Sequence, residues 1–466
     1  MARVTGGGSE MSFIYHLLLE KIVFNLFSLK RYSVFWYLKQ IKLESRLSEQ
    51  DVYGIQKKRL SLILRHALTT VDFYKSIKGL HEPFQDPYDK LRQFPIIDKY
   101  KLNDFNEALK SSKFKGKKVI YCFSSGSSGL RSECILSKRE IAKDRAIQIL
   151  WWQWAGVKFG YPILQTGMDA KRSLFKKIKD IVFRTRYIHA FSMNSDDVNN
   201  ILSSYMDVKY IVGYASSLYN ISELVNEDIS QKLSIKASVS WGDKLFSKYK
   251  HQFKQKFGVT INETYGCAEG IKMAAQLDLD YMYIMSPNII VEILDDNDNP
   301  VKDGEMGHVV ITSLDRYAMP MIRYKIGDLG VLLPKNKYPK NRKLNYQLIE
   351  KIIGRDTDIV ILPDNSKLTV HSFTGIVEYI AEISQFRIIQ KNINSIDFEY
   401  ITNKKFDNIS ICDAIKDLNI KFKALINRDD FSINFYEVDS IPSTKSGKPQ
   451  IICSEISKIR LANNEC

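Results

Sequence analysis

Tyr121-Cys122-Phe123-Ser124-Ser125-Gly126-Ser127-Ser128-Gly129 sets a short apolar strand pattern directly before a loop of serine and glycine only. Glycine lets successive backbone N–H groups turn toward one point, and the hydroxyls add donors. Such a loop can wrap the β- and γ-phosphates of a nucleotide, although it lacks the lysine of a Walker loop; taken alone, a Ser/Gly stretch is more often a plain flexible loop. Four further stretches carry chemistry. In Asn262-Glu263-Thr264-Tyr265-Gly266-Cys267-Ala268-Glu269, the strand-end aromatic Tyr265 can stack on a base and the carboxylate of Glu269 can hold Mg²⁺. In Ile322-Arg323-Tyr324-Lys325-Ile326-Gly327-Asp328, Gly327 permits close approach and Asp328 can take two ribose hydroxyls. Gly354-Arg355-Asp356-Thr357-Asp358 offers a guanidinium among carboxylates, and Pro442-Ser443-Thr444-Lys445-Ser446-Gly447-Lys448 offers an ammonium on a glycine turn that could swing onto a phosphate or carboxylate. Each has a plainer use: a core aromatic, a turn or cap aspartate, a charged surface turn, a solvated lysine.

These stretches need elements to hold them. From about residue 119 to 275, short apolar runs (119–123, 161–165, 210–212, 235–239 and 259–264) alternate with helical pattern, which predicts a layered α/β body. Ahead of it, Leu60, Ile63, Leu64, Ala67 and Leu68 recur at helical spacing before Pro83, Pro87 and Pro95 break the chain. From Ile289 the pattern turns β-rich, with a turn at 295–300 and a strand at 307–312, and about 356–462 reads as a small α+β domain. The Asn/Lys-rich stretch 335–343 reads as a solvated loop. Residues 1–10, with Gly6-Gly7-Gly8-Ser9, read as a flexible leader or a cloning scar, Met11 being an alternative start. The apolar run 13–29 is interrupted by Glu20, Lys21 and Asn25; it predicts an amphipathic helix that packs on the body or touches a membrane surface.

The 466 residues suffice for two or three domains, and the 44% hydrophobic content for a sizeable core. With 68 Lys+Arg against 53 Asp+Glu the net charge is +15, which suits an anionic partner: nucleotide, coenzyme, acidic polysaccharide or anionic membrane. Nucleic acid is not expected, because nothing beyond net charge speaks for it. The six cysteines form no CxxC pair, so neither a zinc signature nor a disulfide framework is present, and a reduced cytoplasmic setting is expected. His189, His251 and His308 are isolated and read as core or surface residues. Trp151, Trp152, Trp154, Tyr210, Tyr214 and Tyr219 make the middle aromatic-rich; core packing accounts for most such rings, while an aromatic acid or a sugar acid would also stack there.

In this order, the five stretches resemble the adenylate-forming superfamily of acyl-CoA synthetases, adenylation domains and luciferases, over residues 121–448. Leu64-Arg65-His66-Ala67, Phe94-Pro95-Ile96-Ile97-Asp98-Lys99, Gly213-Tyr214-Ala215-Ser216-Ser217-Leu218, Met319-Pro320-Met321-Ile322-Arg323-Tyr324 and Ile361-Leu362-Pro363-Asp364 are similar to the phenylacetate–CoA ligase-like, capsule-biosynthesis (CapK-like) branch. The resemblance implies an α/β fold: a large multi-layer N-terminal nucleotide- and acyl-binding body of sheets and helices (11–355) and a small mobile α+β C-terminal lid (356–466). It implies that Ser124, Ser125, Gly126, Ser127, Ser128 and Gly129 hold the triphosphate. Gly242 and Asp243 would lie beside the adenine, with Tyr265 and Gly266 at the base, Glu269 on Mg²⁺, Asp328 on the ribose and Arg355 on ribose or phosphate. Lys448 would be the adenylation lysine. The chain departs from the family pattern at Ser127 and Ser128, where Thr is usual, at Leu130-Arg131, at Ala215 in place of Pro, and at Asp72 before Phe73-Tyr74.

The activity so implied is AMP-forming: with ATP and Mg²⁺, a small or sugar-linked carboxylate becomes an acyl-adenylate and passes to an acceptor. The acceptor is an amine or hydroxyl in surface-polysaccharide assembly, or the thiol of CoA in an aryl-CoA ligase. A nucleotide- or polyanion-binding protein without catalysis is the remaining reading, against which the joint presence of Glu269, Asp328, Arg355 and Lys448 argues. Lys448→Ala is expected to slow adenylation about 10²–10³-fold, the effect of losing one oxyanion-type donor, while sparing acyl transfer from supplied acyl-AMP. Equal loss of both steps, measured separately, would contradict a lysine that acts in adenylation only.

Overall fold

The computed structural model describes residues 7–123, 132–167, 174–356, 358–364, 366–377, 380–404, 406–442 and 450–456. In chain order the strands of the large body are β1 (Ile120–Phe123), β2 (Glu133–Leu136), β3 (Ile163–Gly167), β4 (Thr185–His189), β5 (Tyr210–Tyr214), β6 (Ala237–Trp241), β7 (Ile261–Gly266), β8 (Lys272–Ala275), β9 (Met282–Ile284), β10 (Ile289–Leu294), β11 (Gly307–Ser313), β12 (Tyr324–Leu332) and β13 (Leu348–Arg355). Eleven of them form one sheet in the order β10-β11-β12-β13-β9-β8-β7-β6-β5-β3-β4. The β4-β3-β5-β6-β7 half is parallel and the β7-to-β10 half antiparallel.

The parallel half is the alternating region expected from the sequence, its strands displaced by about two residues from the apolar runs. Tyr210, Ile211, Val212 and Gly213 on β5 are all buried, as a parallel strand covered on both faces requires. Helices Ala215–Leu224 and Ser247–Phe257 pack beside it, and helix Lys138–Trp154 buries Ala146, Ile147, Leu150 and Trp151. The helix expected around Leu60 runs Glu49–Thr70, capped by Ser48, with Leu60, Ile63, Leu64 and Ala67 fully buried. The β10–β11 hairpin turns where Asp295 accepts from the N–H groups of Asn297 and Asn299.

Three features differ from the sequence reading. β1 pairs only with β2, as a separate hairpin with Cys122 opposite Cys134, and takes no place in the large sheet; its largely exposed residues show no covered face. The 335–343 stretch is held to the body, since Lys335 and Arg342 both pair with Glu49 at 3.1 and 3.3 Å and Tyr283 Oη accepts from the Lys343 N–H. The first helix begins at Gly7, inside the stretch read as a leader.

The C-terminal part has its own strands: β14 (Ile359–Ile361) and β15 (Lys367–Thr369) as a hairpin, then β16 (Ile383–Asn392), β17 (Ser395–Thr402), β18 (Ser432–Glu437) and β19 (Ile452–Ser454) in the order β18-β17-β16-β19. Helix Asn408–Ile426 crosses between the parallel pair β17 and β18. Ile388, Ile396, Phe398, Leu418, Phe422 and Ile452 are fully buried in a core of their own, to which the large body lends Phe246. Polar links also join the parts: Lys367 pairs with Asp296 at 2.7 Å, and the Lys244 ammonium donates to the Ile353 carbonyl.

A Cβ on Gly213 would lie 1.9 Å from Thr166 Oγ1 and 2.8 Å from its Cβ. Gly213→Ala is therefore expected to destabilise the protein by about 1–3 kcal/mol in denaturant melts, with partial recovery when Thr166→Ala accompanies it; an unchanged melt would show that β3 and β5 are not packed so closely.

Candidate active site

In the parallel half the chain runs from β3 outward to β4, then returns to β5, β6 and β7 on the other side of β3. Such a reversal, at the carboxyl ends of the strands, is the place where open α/β sheets bind ligands. Thr166 stands at the end of β3, Tyr214 at the end of β5, Trp241 before Gly242 and Asp243 at the end of β6, and Tyr265 and Gly266 at the end of β7. Three sequence motifs far apart along the chain thus share one sheet edge.

Asp243 uses its carboxylate on the neighbouring strand end. Oδ1 accepts from the Ala215 N–H at 2.6 Å, and Oδ2 from the Ser216 N–H at 3.1 Å and the Ser216 hydroxyl at 2.5 Å. It thereby satisfies first-turn donors of helix Ala215–Leu224. Gly242 has φ +84°, and a Cβ there would meet the Tyr214 ring at 2.6 Å, so only glycine lets the β6 turn lie against that ring. A Cβ on Gly266 would meet the Ile271 carbonyl at 2.8 Å, where the chain doubles back from β7 to β8.

The charged centre lies where β7, β12 and β13 meet. The Tyr265 hydroxyl donates to Asp328 Oδ2 at 2.7 Å, and Arg355 Nε pairs with Asp328 Oδ1 at 3.2 Å. Arg355 also donates to the Ile326 carbonyl at 3.1 Å, fixing its approach. Gly327, at φ +79°, turns its carbonyl to accept the Asp356 N–H at 3.1 Å, which ties the Asp328 turn to the end of β13. The Asp328 charge holds the Arg355 pKa above its usual range. Burial pushes the Asp328 carboxyl up, and Arg355 and the Tyr265 hydroxyl pull it back. Tyr265 itself stays protonated, raised by burial and by Asp328. Because each carboxylate oxygen has two lone pairs, both retain capacity for a ligand hydroxyl.

Glu269 is buried, 7% exposed, and accepts from the Tyr324 hydroxyl at 2.9 Å. The Cys267 thiol lies in the field of the same carboxylate. Burial and the Glu269 carboxylate raise both groups far above their ordinary pKa, so both remain neutral. Among the described residues no group of three or more His, Cys, Asp or Glu could cage a metal. One carboxylate nonetheless fits Mg²⁺, which is commonly bound through one or two carboxylates plus the phosphates of its nucleotide.

Lys99, the first residue of helix Lys99–Asp104, enters this centre without having been assigned a role from the sequence. Its pKa is lowered, chiefly by burial; Glu269 raises it and Arg355 lowers it, so its ammonium shares their field. Its signal lay in the 94–99 stretch. Tyr324 was visible as part of the 319–324 and 322–328 stretches but without a role, which follows from the start of β12 facing Glu269. Ser124, Ser125, Gly126, Ser127, Ser128, Gly129 and Lys448 lie outside the described residues.

Most of the aromatic middle is core. Trp151, Trp152 and Tyr210 are buried, and Trp152 stacks between Phe159 and Trp241. Tyr214 is half-buried at the strand edge, tilted against Phe191 and Trp241. His308 is buried between Asp296 and Asp356, at 2.9 and 3.5 Å, while His189 and His251 are exposed.

The body thus gathers an aromatic, a paired aspartate–arginine and a buried glutamate, and a small α+β domain follows it. Comparison with known proteins places its similarities among phenylacetate-coenzyme A ligases and Protein CapK. Residues 360–455 match the family described as CapK C-terminal domain. The chain is 20% identical over 456 residues to Protein CapK of Staphylococcus aureus, covering 95% of this chain and 97% of that protein. It is 23% identical over 335 residues to phenylacetate-coenzyme A ligase of Escherichia coli (strain K12), covering 68% and 74%. A stretch of 140 residues is 32% identical to the Pseudomonas putida enzyme of that name and spans 30% of it. In fold it is similar to 2-hydroxyisobutyryl-CoA ligase crystallised in the postadenylation state with R3-HIB-AMP, at TM-score 0.67 and 14% identity over 90% of this chain and 93% of that one.

Tyr265→Phe keeps the ring and removes the hydroxyl that orients Asp328. A hydrogen bond to a charged group contributes about 1.5–3 kcal/mol, so AMP binding measured by calorimetry should weaken about tenfold or more; unchanged affinity would mean that the Asp328 carboxylate is oriented without Tyr265.

Proposed function

We propose that this chain is an ATP-dependent, AMP-forming ligase that activates a carboxylate as an acyl-adenylate and transfers it to an amine or hydroxyl acceptor in surface-polysaccharide biosynthesis. The observation that carries the first half is the joining of Tyr265, Asp328 and Arg355 where β7, β12 and β13 meet. The similarity to Protein CapK along nearly the whole chain supports the second half.

In this reading the adenine lies on Tyr265 and against the Gly242 turn, with Asp243 holding the Ala215 turn in place. The ribose hydroxyls donate to Asp328, whose orientation Tyr265 and Arg355 set. Glu269 would hold Mg²⁺, which when bound offsets the charge of the phosphates. The substrate carboxylate attacks the α-phosphorus; an oxygen–phosphorus bond forms, the bond to the β-phosphate oxygen breaks, and pyrophosphate leaves. Arg355 and Lys99 would meet the charge that gathers on the phosphoryl oxygens, and the family resemblance adds Lys448. The acceptor nucleophile then attacks the acyl carbon, AMP departs and the acceptor loses its proton. The half-buried Tyr214 and the Thr166 end of β3 border the space where the acyl group would lie.

A second reading, transfer to the CoA thiol, is supported by the phenylacetate-coenzyme A ligase relatives and by the 2-hydroxyisobutyryl-CoA ligase fold. The two separate in one assay. ATP, Mg²⁺ and a panel of aromatic, amino and uronic acids, with hydroxylamine as trap, should release pyrophosphate for one acid class, and amines, alcohols or CoA are then added singly. Turnover with amines or alcohols alone is expected; turnover with CoA alone selects the second reading, and silence across the panel contradicts both.

A further inference from the structure

The first helix is arranged inside out. Over Gly7–Leu17, Leu18–Val23 and Phe24–Ser28 it runs without a break, and the side chains it turns toward the body include Ser12, His16 and Ser28, all buried. Arg184 donates to Ser12 Oγ at 2.7 Å, His16 Nδ1 meets the Phe159 carbonyl at 2.9 Å, and Gln153 donates to Glu20 at 3.1 Å. At Gly160 the approach is so close that a Cβ would lie 2.9 Å from the His16 Cα. Leu19 and Phe24 complete the seat, Phe24 stacking on Phe35 at 4.1 Å. Met11, Ile14, Ile22, Leu26, Phe27 and Leu29 are each more than half exposed instead. A helix that serves only to pack does the reverse.

A second helix widens the same face. The Tyr15 hydroxyl donates to the Val182 carbonyl at 2.9 Å, joining the first helix to the end of Leu174–Val182. There Leu174, Ile178 and Ile181 are also more than half exposed, at the spacing of one helical stripe. Exposed Lys21, Lys30, Arg31 and Lys177 accompany the apolar side chains.

We propose that these two helices form a docking face for an anionic phospholipid surface, lying in the interface plane. Apolar side chains flanked by lysine and arginine suit the acyl boundary and the phosphate layer together. The net charge of +15 sets two copies of the chain against each other and draws each to an anionic surface. The 18-residue segment Met11–Ser28 is long and apolar enough to cross a membrane by length and composition. Its Ser12, His16 and Glu20 bonds to the body hold it on the surface, since spanning would break them in a medium without replacement partners.

The test is vesicle co-sedimentation of the full chain with phosphatidylcholine, alone and mixed with phosphatidylglycerol. Binding is expected only with phosphatidylglycerol, weakening as salt rises. Ile22→Gln with Leu26→Gln and Ile181→Gln, or Lys30→Glu with Arg31→Glu, should each lower the partition about tenfold or more, with thermal unfolding and ATP–pyrophosphate exchange unchanged. Binding to neutral vesicles equally well, binding that the variants do not weaken, or retention after an alkaline carbonate wash would overturn the proposal. So would a dimer, with no vesicle binding, that the glutamine variant dissociates, for then a second copy covers the face.

Discussion

A carboxylate carried out of water must find charge and hydrogen bonds or be neutralised, and at the centre of this protein that condition falls on Asp328. Its two oxygens are taken up by the Tyr265 hydroxyl from β7 and the Arg355 guanidinium from the end of β13, while its own strand, β12, lies between β11 and β13. Asp328 is 13% exposed and Arg355 47%, so the pair is partly solvated and its loss leaves the carboxylate less well matched without the full cost of a buried pair. The contacts therefore tie the ends of β7 and β13 to the middle of β12. Because Arg355 is the last residue of β13 and Asp356 hydrogen-bonds back to Gly327, the same contact sets where the chain leaves the body for the C-terminal domain.

Topology supplies what the charge pair cannot. The reversal of strand order at β3 brings the ends of β5, β6 and β7 into a row, and the small residues at those ends are dictated by crowding: Gly213 against Thr166, Gly242 against the Tyr214 ring, Gly266 against the Ile271 carbonyl. Asp243 then secures the start of the helix after β5 from across the sheet. The glycines and the capping aspartate position; in the proposed reading the tyrosine, the carboxylates and the cations would face the nucleotide.

Much of this was legible in the amino-acid order. The runs at 210–212 and 235–239 mark β5 and β6, which are buried on both faces, while 259–264 marks the partly covered β7. The strands extend two residues further, where polar and glycine residues end the apolar signal but not the hydrogen bonding. Tyr265, Asp328 and Arg355 could be singled out by motif, but not their mutual contact, which depends on the pairing of β12 with β13. Lys99 escaped notice as a site residue because a lysine at the start of a short helix has no distinctive pattern; only packing of that helix near β12 brings its charge toward Glu269. The separate β1–β2 hairpin was equally invisible, since a four-residue apolar run does not say which sheet it joins. The hydrogen bond of the Asp243 carboxylate to the Ala215 turn, between residues 28 apart in the chain, carries no local pattern either.

The central claim is that Asp328 holds the ribose of a nucleotide, and calorimetric titration with AMP and its 2′,3′-dideoxy analogue tests it most directly. The native protein should bind AMP about tenfold or more tighter than the analogue, and Asp328→Asn should reduce that preference. An equal preference for AMP in both proteins, with the variant still folded, would mean that the ribose hydroxyls are bound elsewhere and that the cluster at the meeting of β7, β12 and β13 serves structure alone.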